Sequence, residues 1–265
     1  MVITVFILRT ELTKDCLIFN NRSMSFSKAT DRSSTTVPWL AEMSANPWFS
    51  ALPARDRNVL LTVSERIRLR PGEMLFRQGD TVAKSQGAFF GLARGHLRIS
   101  SLHGGGKEAI LAILEPGNWF GEISLIDGRP RTHDATAIGE SDVLVLPRSV
   151  FDALMQQVQF ARAISELLAT RTRWLCGVLE DATLRTTRAR VARRLLLLSH
   201  GDATLSASAK RLVPVSQDAL AMMLGITRQT LNKELQAMVD SGILALGYRQ
   251  IEIIEPAQLK NIGVG

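Results

Sequence analysis

Ser216–Leu235 reads SQDALAMMLGITRQTLNKEL, the spacing of two short helices joined by a glycine turn. Leu220, Leu224, Ile226, Leu231 and Leu235 fall on the apolar positions of such a pair, and Ala221 is small where the helices cross closely. Gly225 sits where the turn needs a residue tolerant of positive φ. Ser216 and Thr227 have the chemistry to cap the first and second helices. The second helix then presents Thr227, Arg228, Gln229, Asn232 and Lys233, a polar face suited to base edges and phosphates. An ordinary helical hairpin has the same local pattern, so the flanks must decide.

Behind this stretch, Ile243–Ile254 reads ILALGYRQIEII, two short strands joined near Gly247. A hairpin directly after a recognition helix is a wing. Ahead of it, Arg190–Leu198 begins a leucine-rich helix. The 265-residue chain carries a net charge of +7, and from Thr183 to Gly265 eleven Lys or Arg stand against six Asp or Glu. Most of the excess therefore lies beside the two-helix motif, as a polyanion partner requires. Arg185, Arg188, Arg190, Arg193 and Arg194 make up five of those cations; a solvated helix face is their simpler reading.

With 46% apolar and 22% charged residues, the composition is that of a globular protein rather than a disordered or membrane chain. No apolar run approaches the roughly 20 residues that span a bilayer. Cys16 and Cys176 are too few for a disulfide scaffold or a four-thiolate metal site, which suits a reducing cytoplasm. Val2–Leu8 is apolar but lacks a preceding basic region and a clear cleavage site. Residues 1–42 read as a polar, poorly ordered extension, with Met1, Met24 and Met43 as alternative starts.

From Asn46 the texture changes. NPWFSALPARDRNVLLTVSERIRL gives one or two short helices. Glycine-punctuated β-rich runs follow (MLFRQGD, AFFGLARGHLRIS, EAILAILEPGNWF and DVLVLPRSV), the pattern of an antiparallel barrel or jelly roll over 43–150. After Pro147 the apolar period lengthens to between three and four. Ile164, Leu168, Leu175, Val178 and Ala182 form a seam interrupted by Arg171, and no proline intervenes between Arg148 and Leu212. Such a seam can pack on its own domain, but a long helix with a narrow stripe more often pairs with its twin, so 151–182 is expected to be a dimerisation helix and 183–265 a winged helix-turn-helix domain.

Phe120–Thr136 reads FGEISLIDGRPRTHDAT. A loop entering a short helix at Gly121, with Ile123 in its first turn, points backbone N–H groups outward as an anion site. Glu122 suits a sugar hydroxyl, and Arg131 and Thr132 suit a phosphate. Gly128 and Pro130 make the turn that folds the arginine back over the helix start. An internal Glu122–Arg131 ion pair is the plainer alternative.

At this point the chain resembles the catabolite-activator/fumarate-nitrate-regulator (Crp/Fnr) family of bacterial transcription factors. The GE…PRT stretch resembles that family's phosphate-binding cassette, and TRQTLNKEL its recognition helix. The resemblance covers about Asn46 to Pro256. It implies an α+β chain: a cyclic-nucleotide-binding-type β-roll (jelly roll), a dimer helix and a C-terminal winged helix. By it, Glu122 with Gly121 and Ile123 contacts the ribose, while Arg131 and Thr132 hold the cyclic phosphate of an effector such as cyclic AMP. Ile164, Leu168, Arg171, Leu175 and Val178 line the dimer interface. The expected partners are an inverted-repeat duplex DNA operator, a second copy of the chain and RNA polymerase; no membrane is expected.

The chain departs from the family pattern at three places. Leu175-Cys176 stands where cyclic-AMP-dependent members carry a Thr-Ser pair that recognises adenine. Gln229 replaces a common Glu, and Glu234 takes a position that is usually apolar. Cys16 alone cannot supply an N-terminal iron–sulfur cluster. His96, His103, His133 and His200 are scattered, as solvent or core histidines are. An effector-independent or haem- or redox-gated regulator of the same fold stays open, as do a nucleotide-regulated enzyme and a nucleoid binder without sequence preference. The residues show no nucleophile–base motif, metal cluster or Walker loop.

Overall fold

The computed structural model describes residues 39–82, 87–102, 104, 108–202 and 209–264. The expected extension lies outside the described residues up to residue 38, with Cys16 and the alternative starts Met1 and Met24; His103 lies outside them too. Its last residues, however, belong to the folded body. Helix α1 (Leu40–Ser44) places Met43 fully buried in the first core, beside Phe49 and Trp119. Because α1 begins at Leu40 and Trp39 packs against the same core, the folded body starts a few residues before the expected boundary at 42.

Helices α2 (Pro47–Ala51) and α3 (Ala54–Val63) follow. Asn46 caps α2, its side chain accepting from the Trp48 amide at 2.9 Å, with Pro47 at the first helical position. The β-region forms two four-stranded antiparallel sheets. In the first the order is β1 (Glu65–Leu69), β8 (Ser141–Pro147), β3 (Ala88–Arg94), β6 (Trp119–Phe120). In the second it is β2 (Met74–Phe76), β7 (Asp134–Ala137), β4 (Leu97–Leu102), β5 (Glu108–Leu114). Alternation puts Leu97, Ile99, Ala135 and Ala137 on the inner face with Leu92, Phe90 and Phe120. Strand β5 ends its sheet, so one side of its backbone has no neighbouring strand.

The apolar run after Pro147 is two helices, not one. Helix α5 (Arg148–Met155) buries Phe151 and Leu154, and Gln157 is extended (φ −91, ψ 121) before α6 (Val158–Leu184) begins. Both helices cover the first core, α6 with Phe160 and Ile164. Two segments that must each lie on the same curved surface cannot stay collinear, which accounts for the break.

Helix α7 (Thr187–Ser199), capped by Thr186, opens the C-terminal region. It packs with β9 (Leu212–Val213), α8 (Gln217–Leu224), α9 (Arg228–Asp240), β10 (Leu244–Gly247), β11 (Gln250–Ile253) and α10 (Pro256–Val264). The capping expected from the sequence is present: the Ser216 hydroxyl accepts from the Ala219 amide at 3.2 Å, and Thr227 from Thr230 at 3.1 Å. Gly225 closes α8 at φ +64. Leu220, Leu224, Leu231 and Leu235 are buried, with Ile226 packed against them. The wing gains β9 as a third strand, and α10 lies along α7.

Candidate functional site

Two groups of residues converge on chemistry. The first is at the mouth of the β-roll. Gly121 adopts φ +93, and a Cβ there would sit 3.0 Å from both Arg131 Nη1 and a Phe90 ring carbon, so only glycine fits. Helix α4 (Glu122–Asp127) that follows is one and a half turns long and ends on Gly128 at φ +69. The Asp127 side chain accepts from the Arg129 amide, and this turn carries Arg131 back over the helix start.

Arg131 is buried, yet it does not pair with Glu122. Its Nη1 donates to the Gly121 carbonyl at 2.9 Å and its Nη2 to the Ala88 carbonyl at 3.3 Å. The guanidinium lies 4.6 Å from the Phe76 ring centre and 5.3 Å from that of Phe90. Burial lowers its pKa to about 10, against the opposing pull of Glu122 and Asp80, so it stays a cation at neutral pH. Two of its five N–H donors are engaged, leaving donors for an anion.

Glu122, also buried, is held instead by Arg171 of α6. Arg171 Nη1 donates to Glu122 Oε1, and its Nη2 donates to the Trp119 carbonyl at 2.6 Å. Glu122 Oε2 is buried with no hydrogen-bond partner. Thr132 is exposed, its hydroxyl 2.7 Å from His133 Nδ1. Burial lowers the His133 pKa; Glu122 opposes this, while Arg171 and Arg131 reinforce it. Ile123 is 37% exposed and turned to solvent.

This arrangement corrects the expected dimer seam. Ile164 is buried in the core of its own chain and so is not free for a twin, while Leu168 is half-buried, packing partly on that core. Arg171 turns inward onto Glu122 and the Trp119 carbonyl. The apolar face that α6 leaves exposed carries Leu175 and Leu179, with Cys176 beside them and Val178 half-buried; Leu184, also exposed, lies on the other side at the helix end.

The second group lies on α9. Thr227 caps the helix, and it and Arg228, Gln229, Asn232 and Lys233 are all exposed in its first turns, while Leu231 and Leu235 anchor the helix in the core. Glu234, out of place by the family pattern, accepts from Arg188 at 2.8 Å. Arg228 Nε lies 3.5 Å from Asp218, but both side chains are well over half exposed, so that pair is weak and breakable.

The cluster of five arginines turns out to be architectural. Arg185 donates to Asp181 and to the Gly263 and Val264 carbonyls, Arg190 to the Leu224 carbonyl, and Arg193 to Asp181. Arg188 and Arg194 pair with Glu234 and Asp202. Exposed cations remain on α9 (Arg228 and Lys233) and at the wing tip (Arg249), and also at Arg211 and Lys260. In the wing Tyr248 is 90% exposed and Arg249 takes φ +55 at the hairpin tip. With Ser216, Asp218, Arg228 and Gln250 they line a cleft of about 470 Å³. Tyr248 is the chain's one tyrosine and sits in a turn, a signal the sequence reading passed over.

Comparison with known proteins assigns a family to each part of the chain. The cyclic nucleotide-binding domain family matches residues 66–158, and the Crp-like helix-turn-helix domain family matches residues 189–262. A cyclic AMP receptor protein of Thermus thermophilus is 31% identical over 224 residues, covering 84% of this chain and 99% of its own length. A CRP-like cAMP-activated global transcriptional regulator of Mycobacterium tuberculosis is 29% identical, covering 71% of this chain and 83% of its own. Among solved structures, FixK2 of Bradyrhizobium japonicum superposes with a TM-score of 0.64 at 24% identity, covering 76% of this chain and 97% of that one, a likeness of fold. In the described residues no helix is long and apolar enough to cross a membrane. With a cyclic nucleotide-binding β-roll ahead of a Crp-like helix-turn-helix domain, and a relative of that kind matched over nearly its whole length, the chain belongs to the Crp/Fnr family of DNA-binding transcription regulators.

Proposed function

We propose that this protein acts as a homodimer that reads an inverted-repeat DNA operator through the major groove, with a cyclic nucleotide at the β-roll biasing the placement of its DNA-binding domains. The carrying observation is Glu122. One carboxylate oxygen is held by Arg171, while the other is buried without a partner, a costly state that a ribose hydroxyl donor relieves. Arg131 stands across the same mouth as a buried cation with donors to spare, which suits the cyclic phosphate. Leu175 and Cys176 offer the base apolar contact rather than hydrogen bonds.

On DNA, Arg228, Gln229, Asn232 and Lys233 are the base- and phosphate-facing set, with Thr227 at the helix start. Two copies of α9 related by a two-fold axis enter successive major grooves about 34 Å apart. Helix α6 supplies the axis through Leu175, Val178 and Leu179. RNA polymerase is the further partner, the compartment is the cytoplasm, and the function carries no catalytic step. Effector-independent DNA binding is the second reading. It is favoured by Arg131, which already bonds two carbonyls and stacks on Phe76 and Phe90 within the chain.

Calorimetric titration of the purified protein with cyclic AMP and then cyclic GMP decides between them, with Arg131→Ala as the control. Saturable binding lost in the variant supports nucleotide gating. Absence of binding with both nucleotides leaves the constitutive reading.

A further inference from the structure

The free edge of β5 is where the DNA-binding domain touches the β-roll. Helix α8 lies against β5, and two side chains from the domain reach its unpaired backbone. The Asp202 carboxylate accepts from the Ile113 amide at 2.9 Å, and Arg194 Nη2 donates to the Leu111 carbonyl at 3.3 Å. Arg194 Nη2 and Asp202 Oδ2 also bond each other at 2.8 Å, both side chains being almost fully buried. In a parallel ladder, an incoming residue donates to the carbonyl before its opposite number and accepts from the amide after it. Opposite Ala112, Arg194 and Asp202 reproduce that pattern with side chains. Just beyond the strand, Lys210 pairs with Glu115 at 3.0 Å.

We propose that Arg194 and Asp202 form a latch that holds the DNA-binding domain on the edge of the β-roll, restraining the domain's reorientation toward DNA. An edge strand is a natural docking template, because its unpaired N–H and C=O groups need partners. A buried ion pair specifies one arrangement at little net gain in stability, which suits a contact that must open. The seam is also imperfectly satisfied: Arg194 Nε and Asp202 Oδ1 are buried without partners. Burial, with Glu115 adding to it, pushes the Asp202 pKa up against Arg194 and the Ile113 amide. The latch adjoins the effector site. Arg194 lies 5.5 Å from the ring centre of Trp174, three residues along α6 from the Arg171 that holds Glu122.

Amide hydrogen exchange on the full-length protein reads the latch directly at Ile113. Asp202→Ala leaves Arg194 unpaired, whereas Arg194→Ala with Asp202→Ala removes both buried charges. In the double variant the Ile113 amide should exchange about tenfold faster or more while α7 and α9 keep their protection. Unchanged exchange at Ile113 overturns the latch. Loss of protection across α7 in the double variant overturns it too, by assigning the pair to the domain's own core.

The restraint on DNA binding rests on the proposed function and has its own arm. A duplex is selected from a random pool by the wild-type protein, and the effector-free double variant should bind it about tenfold more tightly. Equal or weaker binding overturns the restraint. If the wild-type protein selects no duplex, the DNA reading itself fails, and exchange at Ile113 still decides the docking.

Discussion

Arg171 and Glu122 stand forty-nine positions apart and meet as an ion pair in which the carboxylate is 1% exposed and the arginine 28%. The bond from Arg171 to the Trp119 carbonyl makes the contact two-point, so the azimuth of α6 is set by the cassette it covers. Any ligand that draws on Glu122 therefore also acts on α6. Arg171→Leu leaves Glu122 buried and unpaired. It should cost about 1–3 kcal/mol of stability, read as a lower urea midpoint, with Arg171→Lys losing less. An unchanged midpoint for Arg171→Leu would show that the pair contributes nothing net.

Much of the fold was legible in the residues, for physical reasons. The caps at Ser216 and Thr227 and the glycine at 225 are local chemistry, so they needed no tertiary information. What escaped was of two kinds. Strand β7 reads DATA: it alternates, but over only four residues, and its apolar positions are small alanines with little hydrophobic signal. Helix α10 is short, and Arg185, far away in sequence, bonds its last carbonyls. The cassette was legible as a set of residue types, but the pairing inside it was not. Whether Arg171 faces a twin or turns inward depends on the break at Gln157 and the path of α6, which periodicity does not encode.

Arg228 is the recognition-helix residue whose removal should be felt most. Among the described residues its only ion-pair contact is with Asp218, at 3.5 Å and solvent-exposed, so little is lost within the free protein. Arg228→Ala should weaken binding to the selected duplex by about 1–3 kcal/mol and relax preference at one base pair in each half-site. Fluorescence anisotropy against single-base variants measures both; a uniform loss across all variants would make Arg228 a phosphate contact instead.

Leu175 and Leu179 are 56% and 66% exposed in the single chain, one turn apart on α6. Neither contributes to its own core, so paired substitution to Glu should leave the fold intact. Leu175→Glu with Leu179→Glu should convert a dimer to a monomer in sedimentation equilibrium, through buried like charges at the two-fold seam. A dimer that survives the pair of substitutions places the interface elsewhere.

The two half-buried histidines, His133 and His96, make stability fall on the acid side. At His133 burial lowers the pKa, with Arg171 and Arg131 assisting; at His96 burial does so, with Lys210 assisting and Glu115 opposing. The unfolded chain, whose histidines titrate near 6.5, then takes up protons before the folded chain does. Stability is therefore full above that value and is lost progressively as pH falls through it toward the folded pKa values. Asp202, whose pKa is raised, has the opposite sign, since the folded chain holds that proton at higher pH than the unfolded one. Urea unfolding at about pH 7.5 and about pH 5.5 should show a lower midpoint in acid, and His133→Gln with His96→Gln should narrow the gap. A gap that persists unchanged would assign the acid sensitivity to carboxylates rather than to these histidines.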